Sequence, residues 1–195
     1  MTAPVAADVP LLQTASSLVV LTGDTYRSLA ALPVGGGATA LPVLRDLLSL
    51  AVEALGRART DLAAATRAAG GRVQTAPDPT YAPVAEQALP TVRGPGDVVG
   101  LALTLEDVLA QTLVRDAVDL SAPATRQMVL GHAGASAGRK SLLLIVQSLL
   151  STGRTELVAA PPDLMALPGG IGGVGVPDVL FPTEKALSPI EGAPG

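Results

Sequence analysis

Two residues, Glu106 and Arg139, have side chains that conflict with the positions their spacing assigns them, and any chemistry would sit at that conflict. Across residues 97 to 118 the apolar row Val99, Ala102, Leu103, Leu109, Ala110 and Leu113 recurs at helical spacing, with Glu106 in its middle. Asp107, Arg115 and Asp116 are assigned to other faces. A carboxylate in that row is expected to be buried. An unpaired buried ion is costly, so Glu106 needs a metal, a cation, a set of hydrogen-bond donors or a proton. The bland alternative is a glutamate at the edge of the row that reaches water.

The fourth helical segment carries a matching anomaly. Its core row, spaced four and three, reads Met128 or Val129, then His132, Ser136, Arg139, Leu143, Val146 and Leu150, so three polar residues interrupt the middle. A guanidinium at Arg139 could fork onto the Glu106 carboxylate with Ser136 assisting. The alternative is a helix rotated by one residue, with Arg139 and Lys140 both solvated. His132 reads as a hydrogen-bonded core or boundary residue, since no second histidine or suitably spaced acid accompanies it on that segment. Gly131, Gly134 and Gly138 each weaken a helix interior by roughly 0.5 to 1 kcal/mol relative to Ala. Close approach of another helix, within the fold or across an oligomer interface, is the expected compensation, with a pocket as the alternative.

Composition removes other chemistries. There is no cysteine, so disulfides, thiolate metal sites and a Cys nucleophile are excluded, and a single histidine leaves almost no multi-His site or Ser/His/Asp triad. Gly170-Ile171-Gly172-Gly173-Val174-Gly175 matches G-x-G-x-x-G, but it follows Pro-rich sequence and runs into Pro177, so no strand delivers it to a helix and no dinucleotide is expected. A net charge of -4 with aromatics at 2% gives neither a basic footprint nor stacking platforms, and nucleic acid is not an expected partner.

These side chains must be positioned by helices. The 195 residues suit one domain, with hydrophobic residues at 48% and charged residues at 15%. The first helix is expected over 9 to 32, with Leu12, Ala15, Val19, Thr22, Tyr26 and Ala30 as its apolar stripe, ending near Pro33 and Gly35 to Gly37. The second is expected over 39 to 69, with Thr39 as N-cap, Pro42 in the first turn and Gly70-Gly71 as its stop. Its stripe is Leu44, Leu48, Ala51, Leu55, Leu62 and Ala65, and Glu53–Arg57 and Arg57–Asp61 are candidate i,i+4 pairs.

A Pro-rich crossing, 72 to 96, separates these from a third helix capped by Asp97 and running to about Val118. The fourth is opened by Ser121 and Pro123 and runs to Thr152, stopping at Gly153. Short, long and short connections predict an all-α four-helix arrangement of two hairpins joined by a crossover, over residues 1 to 153. Residues 154 to 195 are expected to form an irregular Pro/Gly-rich extension packed on it. No apolar run is long enough to span a membrane, and no leader is visible in Met1 to Pro10, so a cytoplasmic location is expected.

The chain resembles the ferritin-like domain proteins common in actinobacteria. The resemblance rests on Thr14 to Leu18, Ala69-Gly70-Gly71, Gln74 to Pro77 with Tyr81, the stretch Asp97 to Asp107 containing LALTLED, and Phe181-Pro182-Thr183. It implies a four-helix bundle whose metal-binding members carry carboxylates on helices 1 and 3 and Glu-x-x-His on helices 2 and 4. Carried over residue by residue, most of that set is missing. Val19 stands at the first carboxylate position, Ala54 to Arg59 hold neither acid nor histidine, Glu106 persists, and the last motif falls on Ser136-Ala137-Gly138-Arg139.

The resemblance with these departures implies a degenerate di-metal site: a non-catalytic protein without cofactor or metal, acting as a structural or interaction subunit. Its expected partners are copies of itself or a metal-competent ferritin-like paralogue. Alternatives are a module binding an apolar small molecule inside the bundle and a di-iron or manganese oxidase or iron-storage protein.

Overall fold

The computed structural model describes residues 5 to 154. Among these the regular structure is entirely helical: α1 (Val9–Ala31), α2 (Pro42–Ala68), α3 (Ala82–Ala88), α4 (Pro95–Asp119) and α5 (Pro123–Ser151), with 3-10 turns at Ala6–Asp8 and Leu89–Thr91. The expected extension beyond residue 154, the glycine motif at 170 to 175 and Phe181 to Thr183 lie outside the described residues.

Prolines set where the helices begin. Each of the five α-helices has one at its first or second position, and in none does the N-cap residue's own side chain make a capping hydrogen bond. A proline there fills a site whose N–H has no partner in the helix, with φ already helical. This corrects the expected start at Thr39. Leu41, held extended (φ -66°, ψ 133°) by the proline that follows it, is the N-cap, and α2 begins at Pro42.

Asp97 likewise lies inside α4, not at its cap. Its Oδ2 accepts from the backbone N–H of Gly94 at 3.0 Å and of Arg93 at 2.8 Å, and these bonds hold its carboxyl below the usual range. Ser121 does not open α5, whose N-cap is Ala122; its amide and hydroxyl instead donate to Asp8 at 2.9 and 2.8 Å. The stops are simpler: Gly70 takes φ +79°, and a Cβ at Gly35 would collide with the Leu29 carbonyl oxygen.

α1 packs chiefly on α2 and α4 chiefly on α5, and the two pairs join through α1 with α4 and α2 with α5. Gln13 near the start of α1 donates to the Arg72 carbonyl just past α2, and Asp8 bonds Ser121 just past α4. The start of α1 therefore meets the ends of both α2 and α4, and residues 69 to 94 must travel the length of the molecule.

That crossing is not irregular throughout, as it contains α3 and the turn at Leu89–Thr91. It also covers α1. Asp78 N–H donates to the Ser17 carbonyl at 3.1 Å, and Ser17 Oγ lies 3.2 Å from Asp78 Oδ2. With α2 and α4 packed on its other sides, every residue from Ala15 to Thr22 is buried, so the one-sided stripe expected for the first helix is too narrow. Ser16 hands its hydroxyl to the Leu12 carbonyl, which lets a polar side chain sit in that environment.

The apolar rows are otherwise close to expectation. Leu44, Leu48, Ala51, Leu55 and Leu62 of α2 and Val99, Ala102, Leu109, Ala110 and Leu113 of α4 are buried, while Ala30, Ala65 and Leu103 are only partly so. Asp116 departs from its expected place on another face: it is 7% exposed and its Oδ2 has no hydrogen-bond partner among the described residues. Burial pushes its carboxyl up to about 6; Arg115 opposes the shift and Asp119 adds to it.

The folded-state value lies above the unfolded one. Protonation of Asp116 therefore stabilises the fold below about pH 4, and that contribution is lost as pH rises through about 6. Asp116→Asn is expected to raise stability at pH 7.5 by about 1 kcal/mol and to have little effect at pH 4, the full linkage value being discounted for screening. Urea unfolding at the two pH values checks this; an equal change at both rejects it.

Candidate functional site

The centre of the molecule holds the conflict visible in the sequence. Glu106 on α4 is completely buried. Arg139 on α5 approaches side-on, donating from Nε to Oε1 at 2.7 Å and from Nη2 to Oε2 at 2.9 Å. Ser136, one turn earlier on α5 and also fully buried, donates to Oε2, and its oxygen lies 3.1 Å from the Glu106 carbonyl.

The fourth donor is Tyr26 of α1, whose hydroxyl reaches Oε1 at 2.8 Å. Each carboxylate oxygen thus accepts two bonds, which uses the roughly four lone-pair directions a carboxylate offers. Burial, and after it the Glu106 charge, push the Tyr26 phenol well above its ordinary value, so it keeps its proton and remains a donor.

The structure therefore brings together Glu106, Arg139 and Ser136, rejects the solvated alternatives for Glu106 and Arg139, and adds Tyr26. The signal for Tyr26 was present: it sits on the stripe of the first helix, and a fully buried tyrosine requires a partner for its hydroxyl. Val19, two turns before Tyr26 on α1, is buried at 2% exposure and presents only methyl groups.

His132 is a boundary residue, not part of the α5 core row. Its Nε2 lies 3.1 Å from Asp61 Oδ2 of α2. The expected i,i+4 pairs Glu53–Arg57 and Arg57–Asp61 are not formed, because Asp61 turns to α5 and Arg57 makes no hydrogen bond or ion pair among the described residues. Lys140 pairs with Asp107, giving α4 and α5 a second ionic contact outside the core.

The glycines of α5 correct the expectation of a close helix within the fold and leave the one across an oligomer interface open. Gly131, Gly134 and Gly138 are exposed, and a Cβ on any of them would meet nothing within 4 Å, so no helix of the described chain approaches them. They share the outer side of α5 with exposed Leu130 and Leu142. The residue that does pack inward at this level is Ala133.

A cleft of about 100 Å³ opens between α2 and α5. Small side chains cause it: Ala54 and Ala58 face Ala135 across the seam. Its apolar lining reaches inward to Val19, Leu55, Leu109 and Leu113, and its polar lining is Arg57, His132 and Arg139.

The donor set around Glu106 does not suit a di-metal centre. One carboxylate, saturated by a guanidinium and two hydroxyls, offers no free lone pair, and the described residues contain no group of three His, Cys, Asp or Glu placed to hold a metal ion. No helix of the described chain is long and apolar enough to cross a membrane. No family model, curated protein or solved structure matches the chain.

Proposed function

We propose that the long helices form a ferritin-like four-helix bundle in which an organic ion pair stands where metal-binding members carry coordinating side chains, and that the chain is a non-catalytic structural or interaction subunit. The observation that carries this is the Glu106 carboxylate, whose two oxygens accept four bonds from Arg139, Ser136 and Tyr26. Arg139 supplies the positive charge a cation would otherwise bring, and Val19 supplies none of the coordination. The two hairpins and the crossing between them support the bundle reading. The outer side of α5, with Leu130 and Leu142 exposed beside three open glycines, supports association with a second copy or a paralogue.

Protein produced with added iron and manganese is expected to carry far less than one metal atom per chain by elemental analysis, and about two per chain, the content of a di-metal carboxylate site, would overturn the metal-free reading. Sedimentation is expected to give an assembly larger than one chain, alone or with a ferritin-like paralogue. A monomer alone and in that mixture would overturn the subunit reading.

A further inference from the structure

We propose that the cleft between α2 and α5 binds a short aliphatic carboxylate, with its head group between Arg57 and Arg139 and its apolar body over Val19, Leu55, Leu109 and Leu113. The lining combines apolar side chains with two guanidinium groups and an imidazole and contains no acid among the described residues, a composition that accepts an anion carrying a small hydrocarbon. Arg139 spends two of its five N–H groups on Glu106, and the remaining three have no acceptor among the described residues.

The charge of Arg139 is already balanced by Glu106, so it contributes donors more than net attraction. Arg57 contributes the charge that no ion pair among the described residues offsets, and it is exposed. Asp61, the acid one turn along α2, is bonded to His132 and does not line the cleft. Size limits the ligand: a cavity of roughly 150 Å³ takes benzene, so about 100 Å³ suits a body of three or four carbons.

This inference goes beyond the subunit reading and does not rest on it. A metal-loaded protein would defeat that reading and leave the following test intact.

The test is titration of the folded full chain with sodium isobutyrate at constant ionic strength, followed by amide NMR shifts. Saturable shifts are expected at Leu55, Ala58 and Ala135, with a dissociation constant on the order of 1 mM. Arg57→Gln should weaken binding about tenfold, the change a single lost ionic contact of 1.4 kcal/mol produces. Ala135→Leu, which fills the cleft from an exposed position, should abolish it. Neutral isobutyramide and inorganic phosphate should both bind at least about tenfold more weakly, one lacking the charge and the other the apolar body. No saturable shift up to about 50 mM isobutyrate, shifts confined to residues away from the cleft, or affinity unchanged in either variant would overturn the proposal.

Discussion

Arg139→Ala is expected to destabilise the protein by about 3 to 5 kcal/mol, because it leaves the Glu106 carboxylate in the core without its cation. The Ser136 and Tyr26 hydroxyls remain, but two neutral donors do not replace a bidentate guanidinium. Replacing both members together, Glu106→Leu with Arg139→Met, should cost less than about 1.5 kcal/mol, since it removes the desolvation burden along with the attraction and roughly conserves volume. Urea unfolding of the single and double variants measures the contrast. An Arg139→Ala protein with the wild-type midpoint would mean that the pair does not hold α4 to α5.

Tyr26→Phe should be the next largest effect, about 1.5 to 3 kcal/mol, the usual worth of a hydrogen bond to a charged group. The phenyl ring preserves the packing of a residue that is 1% exposed, so the loss reports the hydroxyl. Repeating the substitution in the Glu106→Leu, Arg139→Met background isolates the coupling, and there the cost should fall to a few tenths of a kcal/mol. Equal costs in both backgrounds would show that the hydroxyl is not held for the carboxylate.

Both effects concern the same contact between three helices, in which Glu106 and Arg139 were legible as partners and Tyr26 was legible only as a member of its stripe. A charged side chain in an apolar row advertises a missing partner, and two such rows at comparable heights limit the choice. Tyrosine fits an apolar row without any conflict, so its partner is invisible until α1 is laid against α4. For the glycines, the expected close helix within the fold is absent among the described residues, and the sequence could not show this for the opposite reason. Glycine carries no hydropathy, so spacing alone cannot tell a tight inner contact from the open outer side on which Gly131, Gly134 and Gly138 lie. Asp61 was matched to Arg57 within one helix, while the His132 ring across the seam is its actual partner.

The amino-acid order alone determined the four long helices and where they stop, and it set Glu106 and Ser136 on apolar rows while leaving a stripe-edge position and a one-residue rotation open, because these follow from backbone hydrogen bonding and apolar periodicity over a few residues. It also determined that the buried carboxylate must be compensated. Only the tertiary structure decided by what. The four donors come from three helices whose relative height is set by the long crossing and by anchors such as Ser17 with Asp78 and Asp8 with Ser121, and no local pattern encodes those distances.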